Sequence, residues 1–438
     1  MPISFTLSPA QQHLQSISRS FAQTHLSTAR SLYHGLPNAK ARLNATRHIV
    51  AAAVKAGFIS AQIPQHLGGP DDGGDTPLLD AAIMVEEFYA VDSSVPIAIL
   101  GASLGLMPIY IAGTPEQQKE FLAPFLKKDG TPLACFSFSE PSGSVNYTTN
   151  PKLTTAYIER DELVINGSKL WASNAGGWDY RGPDITTLVC RVLPSRGHAI
   201  PENVSIVVIT REDIARNPES AFSAWDEVET LGFNAVSGPA VKFTNLRVPR
   251  SRLIGEIGQG PALVSASFTG SAAIVGAMAC GIMRTAFESA LKFCKEDTRG
   301  GKVPIIAHQS VADRLIEMKT KLETSRLLTW KAAHAFDVSG GADREGCYMA
   351  KIYASEAAVE VVRLAMAVVG MESFAERQPY PQLMRDAACL PIFDGGNVGV
   401  RRRELQQMFE EEEYDPRAMA FGGVKPADKA ASMEVNGK

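Results

Sequence analysis

The sequence predicts an α+β protein in three consecutive parts: a helical domain over residues 1–128, a β domain over 129–255 and a helical bundle over 256–438. Two changes of pattern predict it. Apolar residues recur at helical intervals from about residue 8 to 128, and strand-and-turn text follows Gly130. Helical spacing then resumes after the glycine-rich VPRSRLIGEIGQG and persists to about residue 412.

In the first part, LSPAQQHLQSISRSFAQTHL reads as an amphipathic helix with Leu14, Ile17, Phe21 and Leu26 near one face. The stretch has a second reading. The first acidic residue is Asp71, while Arg19, Arg30, Lys40, Arg42, Arg47 and Lys55 precede it among many serines, which is the composition of an organelle transit peptide. GTPEQQKEFLAPFLKKDG is punctuated as a helix: Thr114 can cap it, Pro115 suits its first turn, Gln117 completes a capping box and Gly130 follows its end. In the middle part, TTAYIERDELVINGSKLWASN reads as strand, turn, strand, a second turn at Asn166-Gly167, and strand; VSIVVIT and AVKFTNLRV add strands. In the last part, QSVADRLIEMKTKLETSRLLTWKAA places Val311, Leu315, Met318 and Leu322 on one helix face. The tail after Tyr414 reads as polar, partly ordered chain.

A chain of 438 residues exceeds the roughly 250–300 at which one core stops growing, in keeping with several domains. With 45% hydrophobic and 21% charged residues and a net charge of -4, it shows no electrostatic footprint for nucleic acid. Arg401, Arg402 and Arg403 are answered at once by Glu404 and by Glu410, Glu411, Glu412 and Glu413. A small molecule is the expected ligand. The six cysteines contain no CxxC pair and read as buried free thiols of a reducing compartment. No stretch approaches the ~18 uninterrupted apolar residues of a membrane span. The expectation is therefore a cytoplasmic protein, mitochondrial if the basic start is a targeting signal, that binds no membrane and leaves its sequons at Asn44, Asn146, Asn166 and Asn203 unused.

Two motifs do not carry the chemistry they suggest. GASLG, residues 101–105, has the spacing of a nucleophile elbow but lies in an apolar helical run, so Ser103 reads as a packing residue. GEIGQG lacks the GxGxxG spacing of a dinucleotide-binding turn. No HExxH or clustered ligand set points to a metal.

Three other motifs resemble the acyl-CoA dehydrogenase superfamily, whose domain order also matches. SEPSGS, residues 139–144, is similar to that family's TEPxxGSD loop, with Val145 in place of the usual aspartate. NGSKLWASNAG, residues 166–176, resembles its NGxKxWITNG strand, and TRGG with IIAHQSVAD, residues 298–313, resembles the segment that reaches the FAD of a neighbouring subunit. The resemblance implies a middle β-barrel or sandwich, a C-terminal four-helix bundle, FAD as cofactor and a homotetramer. It assigns cofactor contacts to Ser139, Ser144, Trp171, Ser173, Arg299, Gln309, Gly370, Gly396 and Asn397. A forked, permanently charged guanidinium such as that of Arg299 suits a pyrophosphate.

Within that superfamily the FDGGNVGVRRRELQ segment, residues 393–406, resembles fungal nitroalkane oxidases more than the YEGT-bearing thioester dehydrogenases. SNAGGWDY, DTRGG, HQSVAD, LETSRLL and SAAIVGAMA extend the likeness. By this resemblance Asp394 is the base, Arg401 organises it and Ser271 assists. A nitroalkane would lose its α-proton, pass through a flavin N5 adduct, and yield aldehyde or ketone, nitrite and, with molecular oxygen as acceptor, hydrogen peroxide. On residues alone a turn aspartate before Gly-Gly is the commoner use of such a residue. An acyl-CoA dehydrogenase with an aspartate base, another flavin oxidase and a DNA-binding flavoprotein of the same fold are the alternatives.

Overall fold

The computed structural model describes residues 6–70, 74–194, 203–225 and 228–418, so most of the polar tail lies outside the described residues. In chain order the helices are α1 (Pro9–Phe21), α2 (Ala29–Tyr33), α3 (Ala39–Ala45), α4 (Arg47–Lys55), α5 (Pro77–Tyr89), α6 (Val95–Leu100), α7 (Ala102–Ala112), α8 (Pro115–Leu126), α9 (Arg211–Ala215), α10 (Gly260–Glu296), α11 (Gln309–Val338), α12 (Glu345–Val369), α13 (Tyr380–Cys389) and α14 (Arg402–Phe409). The strands are β1 (Ala134–Ser137), β2 (Thr155–Glu159), β3 (Glu162–Lys169), β4 (Ile185–Leu193), β5 (Val204–Thr210), β6 (Phe222–Trp225), β7 (Ala240–Pro249) and β8 (Leu253–Ile254). Two compact units result, one of residues 1–20, 73–91 and 268–438, the other of 21–72 and 92–267.

The second unit is built on a mixed eight-stranded sheet in the order β6-β7-β3-β2-β4-β5-β8, with β1 also pairing with β4. β4 reads ITTLVCRVL and is buried along its whole length, because β1 and β2 run parallel to it and β5 antiparallel. Its β-branched residues suit a strand covered on both faces. Polar members of β4 reach partners within the fold: Thr187 Oγ1 donates to the Gly105 carbonyl at 2.8 Å, and Arg191 Nη1 and Nη2 donate to the carbonyls of Asn150 and Thr148. Gly105 is required there because a Cβ would come within 2.9 Å of Ala134 and of the Cys135 amide. Ser103 lies in α7 and donates to the Leu100 carbonyl, so GASLG is a helix-on-sheet contact and no elbow.

The turn expected at Asn166-Gly167 does not form; both residues lie inside β3. The register against β7 slips between Ile165 and Gly167, which makes the site a bulge. Gly167 has φ 148°, and a Cβ there would lie 2.4 Å from Thr154 Oγ1, while Asn166 exchanges side-chain bonds with Asn245 across the strands. The turn chemistry is thus spent on a kink. α8 carries the expected capping box, Thr114 with Gln117.

In the first unit α10, α11, α12 and α13 supply the helical bundle, with α5 packed on α11 and α10. Close approach again depends on glycine. A Cβ on Gly281 would stand 2.8 Å from the Ala90 amide and one on Gly276 2.5 Å from Thr329 Oγ1, so α10 can lie directly on α5 and α11. Glu86 and Glu87 of α5 meet Arg284 of α10, Arg326 of α11 and Arg19 of α1. Burial raises the Glu87 carboxyl, but the hydrogen bonds from Arg284 and Arg19 win and hold it below the ordinary glutamate value. Asp337 at the end of α11 accepts from the amides of Leu78 and Leu79, capping α5 from outside. Of the α1 positions expected to face inward, Phe21 is buried, but Ile17 is 41% exposed and Ser18 takes the buried place.

Five of the six free cysteines are buried and Cys389 is half-buried. Two segments, Val95–Ala112 and Gly260–Glu296, do reach membrane-spanning length and hydropathy. More than half of each apolar window, 56% and 67%, is buried inside the fold, as in core helices.

Candidate active site

The FDGGN loop follows α13, and its residue Asp394 has a left-handed backbone, φ 52°. Ser271 of α10 donates its hydroxyl to both carboxylate oxygens of Asp394, at 2.9 and 3.0 Å. Arg401 approaches from the other side, 3.4 Å from Oδ2, and its Nε and Nη2 both donate to the Asp394 backbone carbonyl at 3.2 and 2.8 Å. The guanidinium also donates to the Phe268 carbonyl and to Glu404, and lies 4.9 Å over the ring of Tyr348. It is 1% exposed, so a permanent charge is buried with every face occupied. The three residues assigned to the base cluster therefore come together in one unit. A carboxylate oriented by a hydroxyl and a fixed arginine can serve as a general base.

The loop is fixed from behind by α12. Asn397 is 2% exposed; its Oδ1 accepts from Lys351 Nζ at 2.9 Å, and its Nδ2 donates to Ser355 and Glu356. That side chain is fully committed to protein. Through these bonds it supports the loop from α12. Gly396 is not left-handed, but a Cβ there would meet the Ile392 carbonyl at 3.0 Å. Gly395 is the left-handed residue, φ 72°, and a Cβ on it would stand 2.9 Å from Arg401 Nε.

The second unit joins the SEPSGS and NGSKLW segments. Lys169, fully buried at the end of β3, pairs with Glu140 at 2.6 Å and donates to the Phe138 carbonyl. Glu140 Oε1 also accepts from the Thr154 amide, and its own amide donates to Ser144 Oγ. Burial lowers the Lys169 ammonium, with Glu140 acting the other way. The Leu170 amide donates to the Ser139 carbonyl, which binds the two segments directly. Just beyond, Trp171 adopts φ 67° and exposes 55% of its surface, while Ser173 is half-buried. A large aromatic held outward in this way can offer its face to a ring ligand.

Arg299 and Gly370 are also brought together, in the first unit. Arg299 has φ 49°, lies 4.9 Å over Phe293 and donates to the Val369 carbonyl. A Cβ on Gly370 would approach Arg299 Nη2 to 3.2 Å. Gln309 opens α11, exposed and bonded to Asp313.

Residues 8–129 match the acyl-CoA dehydrogenase N-terminal domain, and residues 258–407 match the acyl-CoA dehydrogenase C-terminal domain. The nitroalkane oxidase of Podospora anserina is 44% identical over 432 residues, covering 96% of this chain and 99% of the relative. The chain belongs to the acyl-CoA dehydrogenase family. Among its relatives in that family, the nitroalkane oxidase of Fusarium oxysporum is 41% identical over 97% of this chain and 98% of its own length. A nitroalkane oxidase active-site mutant crystallised with 1-nitrooctane has a TM-score of 0.90 at 40% identity, over 96% of this chain and 100% of that one.

Three supports of this family fold escaped the sequence reading: Lys351, the Glu140–Lys169 pair and Gly395. Lys351 had a signal, as a lone cation in the small and apolar run EGCYMAKIYASEAAVEVV. Such a lysine is either at the surface or paired inside, and only coordinates decide between the two.

Proposed function

We propose that this protein is an FAD-dependent nitroalkane oxidase in which Asp394 removes the α-proton of the substrate. The observation that carries this reading is the Ser271–Asp394–Arg401 cluster, a carboxylate whose two oxygens share one hydroxyl donor and whose backbone is gripped by a buried guanidinium. Net conversion is RCH2NO2 + O2 + H2O to RCHO + HNO2 + H2O2, with oxygen as electron acceptor. FAD, when bound, supplies the two-electron oxidising centre. Ser139, Ser144, Trp171 and Ser173 would hold it, and the segment of Arg299 and Gln309, with Gly370, would reach the FAD of a neighbouring subunit. The outward Trp171, the open left-handed Gly143 and the cationic Arg299 beside Gly370 fit an aromatic ring and a charged phosphate tail.

Removal of the α-proton asks Asp394 to be in place as a carboxylate before transfer and to hold its position as it takes up the proton. Nitroalkanes are acidic but lose the proton slowly, so a placed carboxylate contributes most, typically 10²- to 10⁴-fold. Ser271 steadies both oxygens before transfer and can remain bonded to the protonated acid after it. Arg401 keeps the loop from following the proton, since its bonds end on the Asp394 backbone and on the Phe268 carbonyl.

A homotetramer is part of the same proposal. A groove of about 580 Å³ between α10 and α11 is lined by Phe287, Leu291, Ile306, Leu315 and Leu327, with Ile316 60% exposed at its edge, an apolar surface suited to another copy. The free cysteines suit a reducing compartment, the cytoplasm or the mitochondrial interior.

The test is aerobic turnover of nitroethane by the purified yellow protein, with nitrite and peroxide assayed together, against butyryl-CoA with an artificial electron acceptor. Stoichiometric nitrite and peroxide, lost in Asp394→Asn, are expected. Thioester desaturation without nitrite would make the protein a dehydrogenase with an aspartate base.

A further inference from the structure

Asp394 sits on a loop that Arg401 grips at its tip and that is held a second time at its neck. Its left-handed backbone costs free energy, and such a conformation persists only where surrounding structure enforces it. Beside Arg401, one support comes from a residue that the proposed chemistry does not use. Lys351, in the second turn of α12, is fully buried. Its ammonium donates to the Leu390 carbonyl at 3.4 Å and to Asn397 Oδ1 at 2.9 Å. These acceptors stand at the two stems of the loop, one before Pro391 and one after Gly396, and the Asn397 amide closes the same neck by donating to the Pro391 carbonyl at 2.9 Å.

We propose that Lys351 is a positioning residue for proton abstraction: its ammonium staples the neck of the 391–397 loop and thereby holds the Asp394 carboxylate where it can reach substrate carbon. This inference rests on the reading of Asp394 as the base. Asn397 is the second half of the device. Its amide nitrogen is anchored to Ser355 and Glu356 on the same helix, and Glu356 is in turn held by Arg402, so the staple is braced along two turns of α12.

The charge environment agrees with a role beyond packing. Burial pushes the Lys351 ammonium down to about 8, Asp394 on the loop and Glu356 on its own helix act to raise it, and Arg401 on the far side of the loop acts to lower it. A hydrocarbon of the same length would fill this space without that tension. The position instead carries a charge whose desolvation is costly, in direct contact with the loop's two ends.

The test uses the FAD-loaded protein, the variant Lys351→Met and two forms of one substrate. Anaerobic flavin bleaching is followed with nitroethane and with its pre-formed anion, which has already lost the proton. Amide exchange of the 391–397 segment is measured in parallel. The expected result is a loss of roughly tenfold to a hundredfold with neutral nitroethane. The rate with the anion should stay within about threefold, and exchange across 391–397 should be faster while α12 stays protected. Equal losses on both substrate forms, or no loss on either, would overturn the proposal, as would unchanged exchange. If Lys351→Met fails to retain flavin, Lys351→Gln carries the test: its amide stops one bond short of the ammonium and must give the same selective loss. A parent protein that ignores nitroethane would remove the function proposed above and leave the staple to be judged by exchange alone.

Discussion

Gly395→Ala should disarm the candidate active site without touching any residue that meets substrate. The left-handed backbone at Gly395 charges a residue with a Cβ about 1–2 kcal/mol, and the new methyl would stand 2.9 Å from Arg401 Nε and 3.0 Å from Cζ. Contacts that short force a movement. Arg401 is poorly able to give way, being 1% exposed and bonded to Asp394, Phe268 and Glu404. Whichever partner moves, the bonds from Nε and Nη2 to the Asp394 carbonyl lengthen. Together the strain and one weakened charge-assisted bond come to roughly 2–4 kcal/mol of stability. Displacement of the carboxylate by an ångström would lower the proton-abstraction rate about 10²-fold. The assay is kcat for nitrite release from nitroethane, with KM determined separately and a chemical melt for stability. The fall should appear in kcat, because the arginine is not asked to bind substrate. A variant within about threefold of the parent in kcat, a difference of only ~0.7 kcal/mol, would refute the claim that Arg401 fixes the loop.

Three further outcomes are expected. Ser271→Ala removes the hydroxyl shared by both oxygens of Asp394 and should cost about 1.5–3 kcal/mol in the proton-transfer barrier, read as a lower flavin-reduction rate with neutral nitroethane. Glu87→Gln should destabilise the first unit by about 3 kcal/mol at neutral pH. Because the folded-state value of Glu87 is depressed, its stabilisation is present above the ordinary glutamate value and lost as pH falls through the folded one, so denaturation midpoints of parent and variant should converge in acid. Asp337 behaves oppositely: burial raises its carboxyl to about 6 despite the Leu78 and Leu79 amides, so its contribution is full below the ordinary aspartate value and is lost as pH rises through 6. Asp337→Asn should therefore cost more stability at pH 5 than at pH 7.5, measured by urea unfolding.

Much of this was legible in sequence because local chemistry and tertiary use agreed. Thr114, Pro115 and Gln117 form a capping box that depends on its own four residues, and the structure contains it as read. Asp394, Ser271 and Arg401 became candidates through motif likeness, and the fold unites them across 123 and 7 residues of chain. Asn166-Gly167 misled because the dipeptide permits a turn without requiring one; pairing of β3 with both β2 and β7 outweighs the local preference. Ile17 misled because one helical face is a coarse guide when the helix runs straight into a wider π turn at Ala22–Leu26. The Lys351 staple and the Glu140–Lys169 pair were invisible for another reason. Each is defined by a partner far away in sequence, and a charged residue in apolar text does not announce which carbonyl or carboxylate it will meet.

The positive φ of Asp394 also bears on the choice between the two short acids. Aspartate and asparagine tolerate that region several-fold better than most side chains. Glutamate, lacking their local hydrogen bonding, has no such dispensation. Exchanging the FDGG of this chain for a glutamate-bearing counterpart would therefore alter main-chain preference as well as reach. A laboratory route from one proton-abstracting chemistry to the other through this position would have to rewrite the loop around the acid, and the acid alone would arrive in a frame shaped for its shorter relative.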